Sequence, residues 1–207
     1  MRINNSPKYK TPRDKGKLVG QKAPLKPPDV WAIRVRLQLA GKKRDLALFN
    51  LAIDSNLRGC DLLRIRVSDL RIGGDIRSRA KIVQSKTGNP VQFEVTKCTR
   101  NAVEDWCDCK SLQLHDWLFP SRKDGNKHLT TRQYARLVDS WIASIDVPHP
   151  SYATHSMRRT KATLIYRKTG NLRAVQLLLG HTKIDSTVRY LGVEVEDALA
   201  LAESIEL

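Results

Sequence analysis

The sequence predicts a mostly α-helical domain carrying one small antiparallel β-sheet. Three observations point there. Apolar residues recur at helical spacing, between recognisable starts and stops, over most of the chain. Two alternating segments, 78–84 and 91–95, flank the turn sequence Lys86-Thr87-Gly88-Asn89 and read as a β-hairpin. Hydrophobic residues make up 41% of the 207, enough for a packed core, and no internal repeat interrupts them.

In chain order, Asp29 caps a helix that runs to about Ala40, with Trp31, Val35 and Leu39 on one face and Gly41 as its stop. Leu46–Asp54 is almost continuously apolar and reads as a buried core helix. A short helix over 59–65 follows, then Val67-Ser68-Asp69-Leu70 and a turn at Gly73-Gly74. After the hairpin come a helix over 99–110 and a loop containing Leu118-Phe119-Pro120-Ser121. Thr130 or Thr131 caps a helix to about Ile145, which Pro148 and Pro150 end. Further helices are expected over 154–170, 172–179 with Gly180 as C-cap, 185–190, and, amphipathic, 193–205.

Charge narrows the function. The chain has 37 Lys and Arg against 21 Asp and Glu, a formal charge of +16. A polyanion is the default partner for such a surface. Residues 1–28 hold eight basic side chains, one acid and five prolines, and are expected to be a flexible arm that tracks phosphates. Residues 191–207 are the reverse, with five acids and no Lys or Arg. No apolar run is long enough to span a membrane and the N-terminus has no signal-like apolar core, so a cytoplasmic, nucleoid-associated protein without membrane contact is expected. Four cysteines are too few for a disulfide scaffold. Cys98, Cys107, Cys109 and His115 invite a zinc reading, but the Cys-x-Cys spacing is not that of a zinc knuckle, and packing thiols fit better.

The chemistry is concentrated in the last third. It reads His155-Ser156-Met157-Arg158, then Leu179-Gly180-His181, then Thr187-Val188-Arg189-Tyr190; upstream stand Arg58 and Lys86. Two arginines can clamp the non-bridging oxygens of a phosphodiester and stay charged at any relevant pH. A tyrosine hydroxyl is a usable nucleophile, although its free pKa of about 10 calls for a cationic pocket or a base. An expelled 5′-oxygen needs a proton from a lysine or histidine. Taken singly, each motif has a plain explanation: a surface pair, a helix cap, edge protection, a core aromatic such as Tyr166. Their order and spacing carry the inference, above all the nine residues from His181 to Tyr190. Tyr9, Tyr134 and Tyr152 stand in no comparable context.

This pattern resembles the tyrosine recombinase, or phage integrase, family. The resemblance implies the family's catalytic-domain fold and these roles: Arg58 and Arg158 hold the scissile phosphate, and Lys86 protonates the leaving 5′-oxygen. His155 helps to remove the tyrosine proton, His181 hydrogen-bonds the phosphate, and Tyr190 attacks to form a 3′-phosphotyrosyl link. Asp61 would orient Arg58. Neither metal, ATP nor any other cofactor is implied. The expected partners are double-stranded DNA, further copies of the chain in a tetramer on paired sites, and accessory DNA-bending proteins.

The resemblance covers about residues 29–207, with the basic arm alone ahead of it, as in the family's short members such as the fimbrial phase-variation invertases. Arg159, where many relatives carry a second histidine, falls outside the catalytic set and is expected to matter little. The acidic C-terminal segment has an apolar stripe of Val193, Val195, Leu199, Ala202 and Ile205. It either folds onto its own core or, as the resemblance implies, packs on a neighbouring protomer. Integration, excision and inversion remain open as outcomes. The rival readings are a type IB topoisomerase-like relaxing activity, a DNA-binding accessory protein on the same fold, and, more remotely, a telomere resolvase.

Overall fold

The apolar run at 46–54 becomes the centre of the molecule. In the computed structural model, which describes residues 22–145, 152–192 and 203, helix α2 (Lys43–Ser55) is buried along nearly its whole length. Helices α1 (Pro27–Leu39), α5 (Lys97–Lys110) and α7 (Thr154–Thr169) pack around it. A helix surrounded on every side needs apolar residues all round, which is why α2 reads as a run rather than a stripe. Among its buried polar residues is Asp54, a carboxylate at the hub of three elements. Asp54 accepts hydrogen bonds from the Thr96 backbone N–H (3.0 Å), the Thr96 hydroxyl (2.7 Å) and the Thr99 hydroxyl (2.6 Å), and Lys161 Nζ of α7 stands 3.3 Å away. One side chain thus caps α5 and ties α7 to α2. Asp54→Ala is expected to lower stability by about 3 kcal/mol, because it strands buried partners; urea unfolding with an unchanged m value checks this.

Helix α1 corrects two expectations. It begins two residues before Asp29, because Pro27 and Pro28 fill first-turn positions whose N–H groups have no helical partner anyway. Asp29 still serves the terminus, its carboxylate accepting from the Lys26 N–H at 3.0 Å. The buried face is Val30, Ile33 and Leu37, not the stripe of Trp31, Val35 and Leu39, of which Trp31 and Leu39 are 68% and 84% exposed. Two apolar stripes of helical spacing compete on this helix, and only one can face α2. The hydrogen bond from Arg34 Nε to Asn50 Oδ1 of α2 (2.7 Å) fixes the rotation.

Short helices α3 (Gly59–Leu63) and α4 (Val67–Leu70) lead into a small hairpin, β1 (Arg71–Ile72) and β2 (Asp75–Ile76), around Gly73-Gly74. The sequence promised only a turn there. The expected hairpin is β3 (Arg79–Val83) with β4 (Pro90–Glu94), paired so that Ala80 opposes Phe93 and Ile82 opposes Val91. Ala80, Val91 and Phe93 enter the core. The described residues therefore hold two two-stranded antiparallel sheets rather than one.

Helix α6 (Thr131–Ala143) starts on the Thr130–Gln133 capping box. Helix α7 ends at Gly170, α8 (Leu172–Leu179) at Gly180, and α9 (Ile184–Leu191) at Gly192, each glycine left-handed. The main core gathers α1 to α7 and both sheets. Ala162, Val175 and Leu179 form a separate small cluster, on which Ile165, the half-buried Tyr166, Tyr190 and Leu191 pack. Of the cysteines only Cys107 is the expected packing thiol, with burial pushing its pKa up to about 11; Cys60, Cys98 and Cys109 are exposed. Among the described residues, no three His, Cys, Asp or Glu side chains could share a metal ion, and no helix is long and apolar enough to cross a membrane. Most of the basic arm (1–21) and the C-terminal helix expected at 193–205 lie outside the described residues.

Candidate active site

Arg58 occupies the N-cap of α3, directly after Asn56 turns the chain out of α2 in a left-handed conformation (φ 52°). Its guanidinium points to the end of the hairpin, where Nη1 donates to Gln84 Oε1 at 2.8 Å. Asp61, expected to orient this arginine, is 3.9 Å from the same Nη1 through Oδ2. The shorter bond of Asp61 is elsewhere, its Oδ1 accepting from the Ser85 N–H at 2.8 Å. Asp61 thus anchors the hairpin backbone, and Gln84 is the closer partner of Arg58.

Gln84 is 1% exposed and reaches in two directions. Its Nε2 donates to the Leu179 carbonyl at 3.2 Å, across 95 residues of sequence. The same carbonyl accepts from Arg158 Nη2 at 2.8 Å. Arg58 and Arg158 are therefore fixed relative to one another through one glutamine and one main-chain oxygen. Gly180 allows the approach. Its φ of +65° suits glycine, and a Cβ there would stand 2.5 Å from Val91 Cγ2. Arg158 itself is 3% exposed, and its Nη1 is buried with no hydrogen-bond acceptor. A buried cationic donor without a partner is costly, and an anionic ligand oxygen would satisfy it.

His181 follows Gly180 at the end of α8. Its Nδ1 lies 3.0 Å from the hydroxyl of the buried Thr187, and its Nε2 lies 3.5 Å from Arg158 Nη2. Arginine can only donate, which assigns the ring proton to Nδ1 and the lone pair to Nε2. Burial, then Arg158 and Arg58, push the His181 pKa down to about 4. The unfolded imidazole titrates near 6.5. Between those values the unfolded chain holds the extra proton, so His181 contributes stability above pH 6.5 that is lost as pH falls toward 4. A His181→Asn variant should show a flatter fall in melting temperature across that window.

His155, in the first turn of α7, is exposed beside a cleft of about 280 Å³ that Arg58, Cys60, Tyr134 and Arg158 also line. Its pKa is lowered by partial burial and by Arg158, Arg159 and Arg58. Burial and these three guanidiniums keep the imidazole neutral, so its lone pair is available to a proton donor although it is a weaker base than a free histidine.

Tyr190 lies on α9 with its ring edge-on to His181, centroids 5.5 Å apart. The Arg158 and Arg159 guanidinium carbons stand 5.8 and 5.2 Å from the centre of its ring. Its hydroxyl is buried without a hydrogen-bond partner, and burial pushes the pKa up to about 12 against the pull of Arg158 and Arg159. Arg158 is close enough to exert that pull, yet no hydrogen bond of ordinary length and angle joins the two. Five of the six expected residues, Arg58, His155, Arg158, His181 and Tyr190, thus share one field. Lys86 is exposed in the hairpin turn, two residues past Gln84, with no hydrogen bond or ion pair among the described residues. A cavity of about 1060 Å³ lies by the first turn of α2 and is lined by none of the six.

Comparison with known proteins accords with this geometry. The sequence pattern of the phage integrase family matches residues 34–196, most of the chain. The chain belongs to the phage integrase family. Probable integrase/recombinase YoeC of Bacillus subtilis is 24% identical over 158 residues, which cover 76% of this chain and 82% of that protein. The tyrosine recombinase XerC of Erythrobacter litoralis is 27% identical over 158 residues, 76% of this chain and 49% of the relative. The chain thus spans about half the length of the XerC relatives it matches. Among solved structures, XerA recombinase superposes with a TM-score of 0.71 at 18% identity, covering 88% of this chain and 64% of that one. XerH site-specific recombinase bound to palindromic difH substrate gives 0.69 at 19%, covering 89% and 53%. The mostly helical fold with small antiparallel sheets is that of the family's catalytic domain.

Three residues of this pocket carry contacts that the sequence does not reveal. Gln84 carries no charge or titratable signal, and only its fixed place two residues before Lys86 could have drawn attention. Thr187 was noticed for its spacing, without its bond to His181. Arg159, set aside as of little consequence, proves to be buried against the Tyr190 ring.

Proposed function

We propose that this chain cleaves and rejoins double-stranded DNA as a site-specific recombinase, through a covalent 3′-phosphotyrosyl link at Tyr190. The observation that carries the reading is the buried, acceptor-less Nη1 of Arg158, which faces the same small space as Arg58, His181 and Tyr190. The two guanidiniums hold the non-bridging oxygens of the scissile phosphate and offset the charge that builds on them. His155 takes the Tyr190 proton, the phenolate oxygen attacks phosphorus in line, and the 5′-oxygen leaves with a proton from Lys86. His181 meets a phosphate oxygen with a ring N–H, which requires its Nε2 to be protonated in the complex. The phosphotyrosyl bond conserves the energy of the broken phosphodiester, so resealing needs no nucleotide hydrolysis. Strand exchange requires two cleaved duplexes, hence an assembly of several copies on paired sites. Residues 193–205 are the segment suited to link protomers, and DNA-bending proteins are suited to bring the sites together.

The test is a nicked duplex carrying the DNA that flanks the gene, incubated without metal or ATP and separated on a denaturing gel. A protein–DNA band whose tryptic adduct maps to the peptide containing Tyr190 establishes the mechanism. Intact DNA binding with no covalent product at flanking or genomic-library sites would remove the enzymatic reading in favour of an accessory protein.

A further inference from the structure

Arg159 lies in the second turn of α7, next to a proposed catalytic residue and outside the family set. It is 7% exposed. Burying a guanidinium costs several kcal/mol unless the site compensates it, so a residue kept only for solubility would point outward. Its guanidinium carbon is nearer the centre of the Tyr190 ring than that of Arg158, 5.2 Å against 5.8 Å. Both lie within the range at which a cation is attracted to an aromatic face. Adjacent helical residues point about 100° apart, and two of them reach one ring only because that ring lies across the helix between them. Arg158 has other attachments, to the Leu179 carbonyl and toward His181, and the proposed reaction gives its free Nη1 to the phosphate.

We propose that Arg159 is the positioning residue of the nucleophile: it clamps the Tyr190 ring on α7, so that Arg158 can serve the phosphate without releasing the tyrosine. The proposal rests on the recombinase reading above and deepens it by dividing the labour of the two arginines. One cation belongs to the phosphate and the other to the phenol. When phosphate engages Arg158, its charge is shared with the phosphate oxygens, and Arg159 remains the cation nearer the ring of the phenolate that forms. That role predicts dependence on a cation of the right reach, and not merely on bulk.

The test begins without DNA. With 3-fluorotyrosine incorporated, the chain gives five fluorine resonances, and Tyr190 is identified as the one lost in Tyr190→Phe. In Arg159→Met the Tyr190 resonance is expected to move and its titration midpoint to rise by about one pH unit, since a cation favouring the phenolate has gone. The resonances of Tyr9, Tyr134, Tyr152 and Tyr166 should stay in place, and Arg159→Lys should recover part of the shift. A Tyr190 resonance and midpoint unchanged in Arg159→Met overturn the clamp. Displacement of all five would show a general packing role, and overturns it too. On the nicked duplex, Arg159→Met is expected to slow covalent linkage about tenfold or more, shift its pH profile upward, and leave DNA affinity within about twofold. Wild-type rate and profile in that variant overturn the clamp alone. Absence of linkage in the wild type, with the fluorine response intact, overturns the recombinase reading and leaves the clamp standing.

Discussion

Arg158→Ala is expected to slow DNA cleavage by about a thousandfold while leaving overall DNA affinity little changed. Removing one preorganised donor to developing charge costs two to three orders of magnitude in comparable sites. Here the loss reaches further than one donor. The Leu179 carbonyl loses its 2.8 Å partner, and the lone pair of His181 Nε2 loses the cation it faces. The same cation contributes to the low pKa of His181 and draws down that of Tyr190, so both should rise in the variant. Arg158→Lys should restore charge without the fork geometry and recover only part of the rate. Single-turnover cleavage of the nicked duplex, with affinity from a separate binding titration, checks both. Near-wild-type cleavage in the alanine variant would mean that the phosphate is held elsewhere.

Tyr190→Phe should abolish covalent linkage altogether and leave the fold at least as stable as before. The second half of that expectation is unusual for a tyrosine whose hydroxyl is buried. In most buried tyrosines the hydroxyl has a partner, and its removal strands that partner. The Tyr190 hydroxyl has none of ordinary geometry, and the pull of Arg158 and Arg159 offsets only part of its desolvation. Phenylalanine keeps the ring contacts with His181, Arg158 and Arg159 and removes that cost. Thermal unfolding should therefore show an unchanged or higher melting temperature, alongside complete loss of the covalent band. A lower melting temperature would mean that the hydroxyl is satisfied in solution, and surviving linkage would exclude Tyr190 as nucleophile.

Much of the helical framework was legible because local signals mark it. Thr130, Asn171, Gly170 and Gly180 stand where the helices begin and end, and the β3–β4 hairpin was visible from the alternation around Lys86–Asn89. The six candidate residues stood out for another reason, their order and spacing along the chain. What was missed is set by tertiary contact. The inward face of α1 depends on which of two stripes meets α2, and the sequence contains both. The partnership of Gln84 with Leu179 spans 95 residues and leaves no periodic trace. Arg159 looked dispensable because a sequence shows its charge and not its burial.

The small cluster of Ala162, Val175 and Leu179 bears on timing as well as on position. Tyr190 packs on this satellite and not on the main core, and α9 contributes one buried residue, Thr187. Local opening free energy scales with the apolar contacts that must be broken, so α9 can detach at a small fraction of the cost of global unfolding. The arginine pair, tied to the hairpin and to α7, stays assembled when it does. On the proposed reading, the chain can thus keep its arginine pair in place with the reactive oxygen withdrawn, so that engaging a duplex and cutting it are separable events.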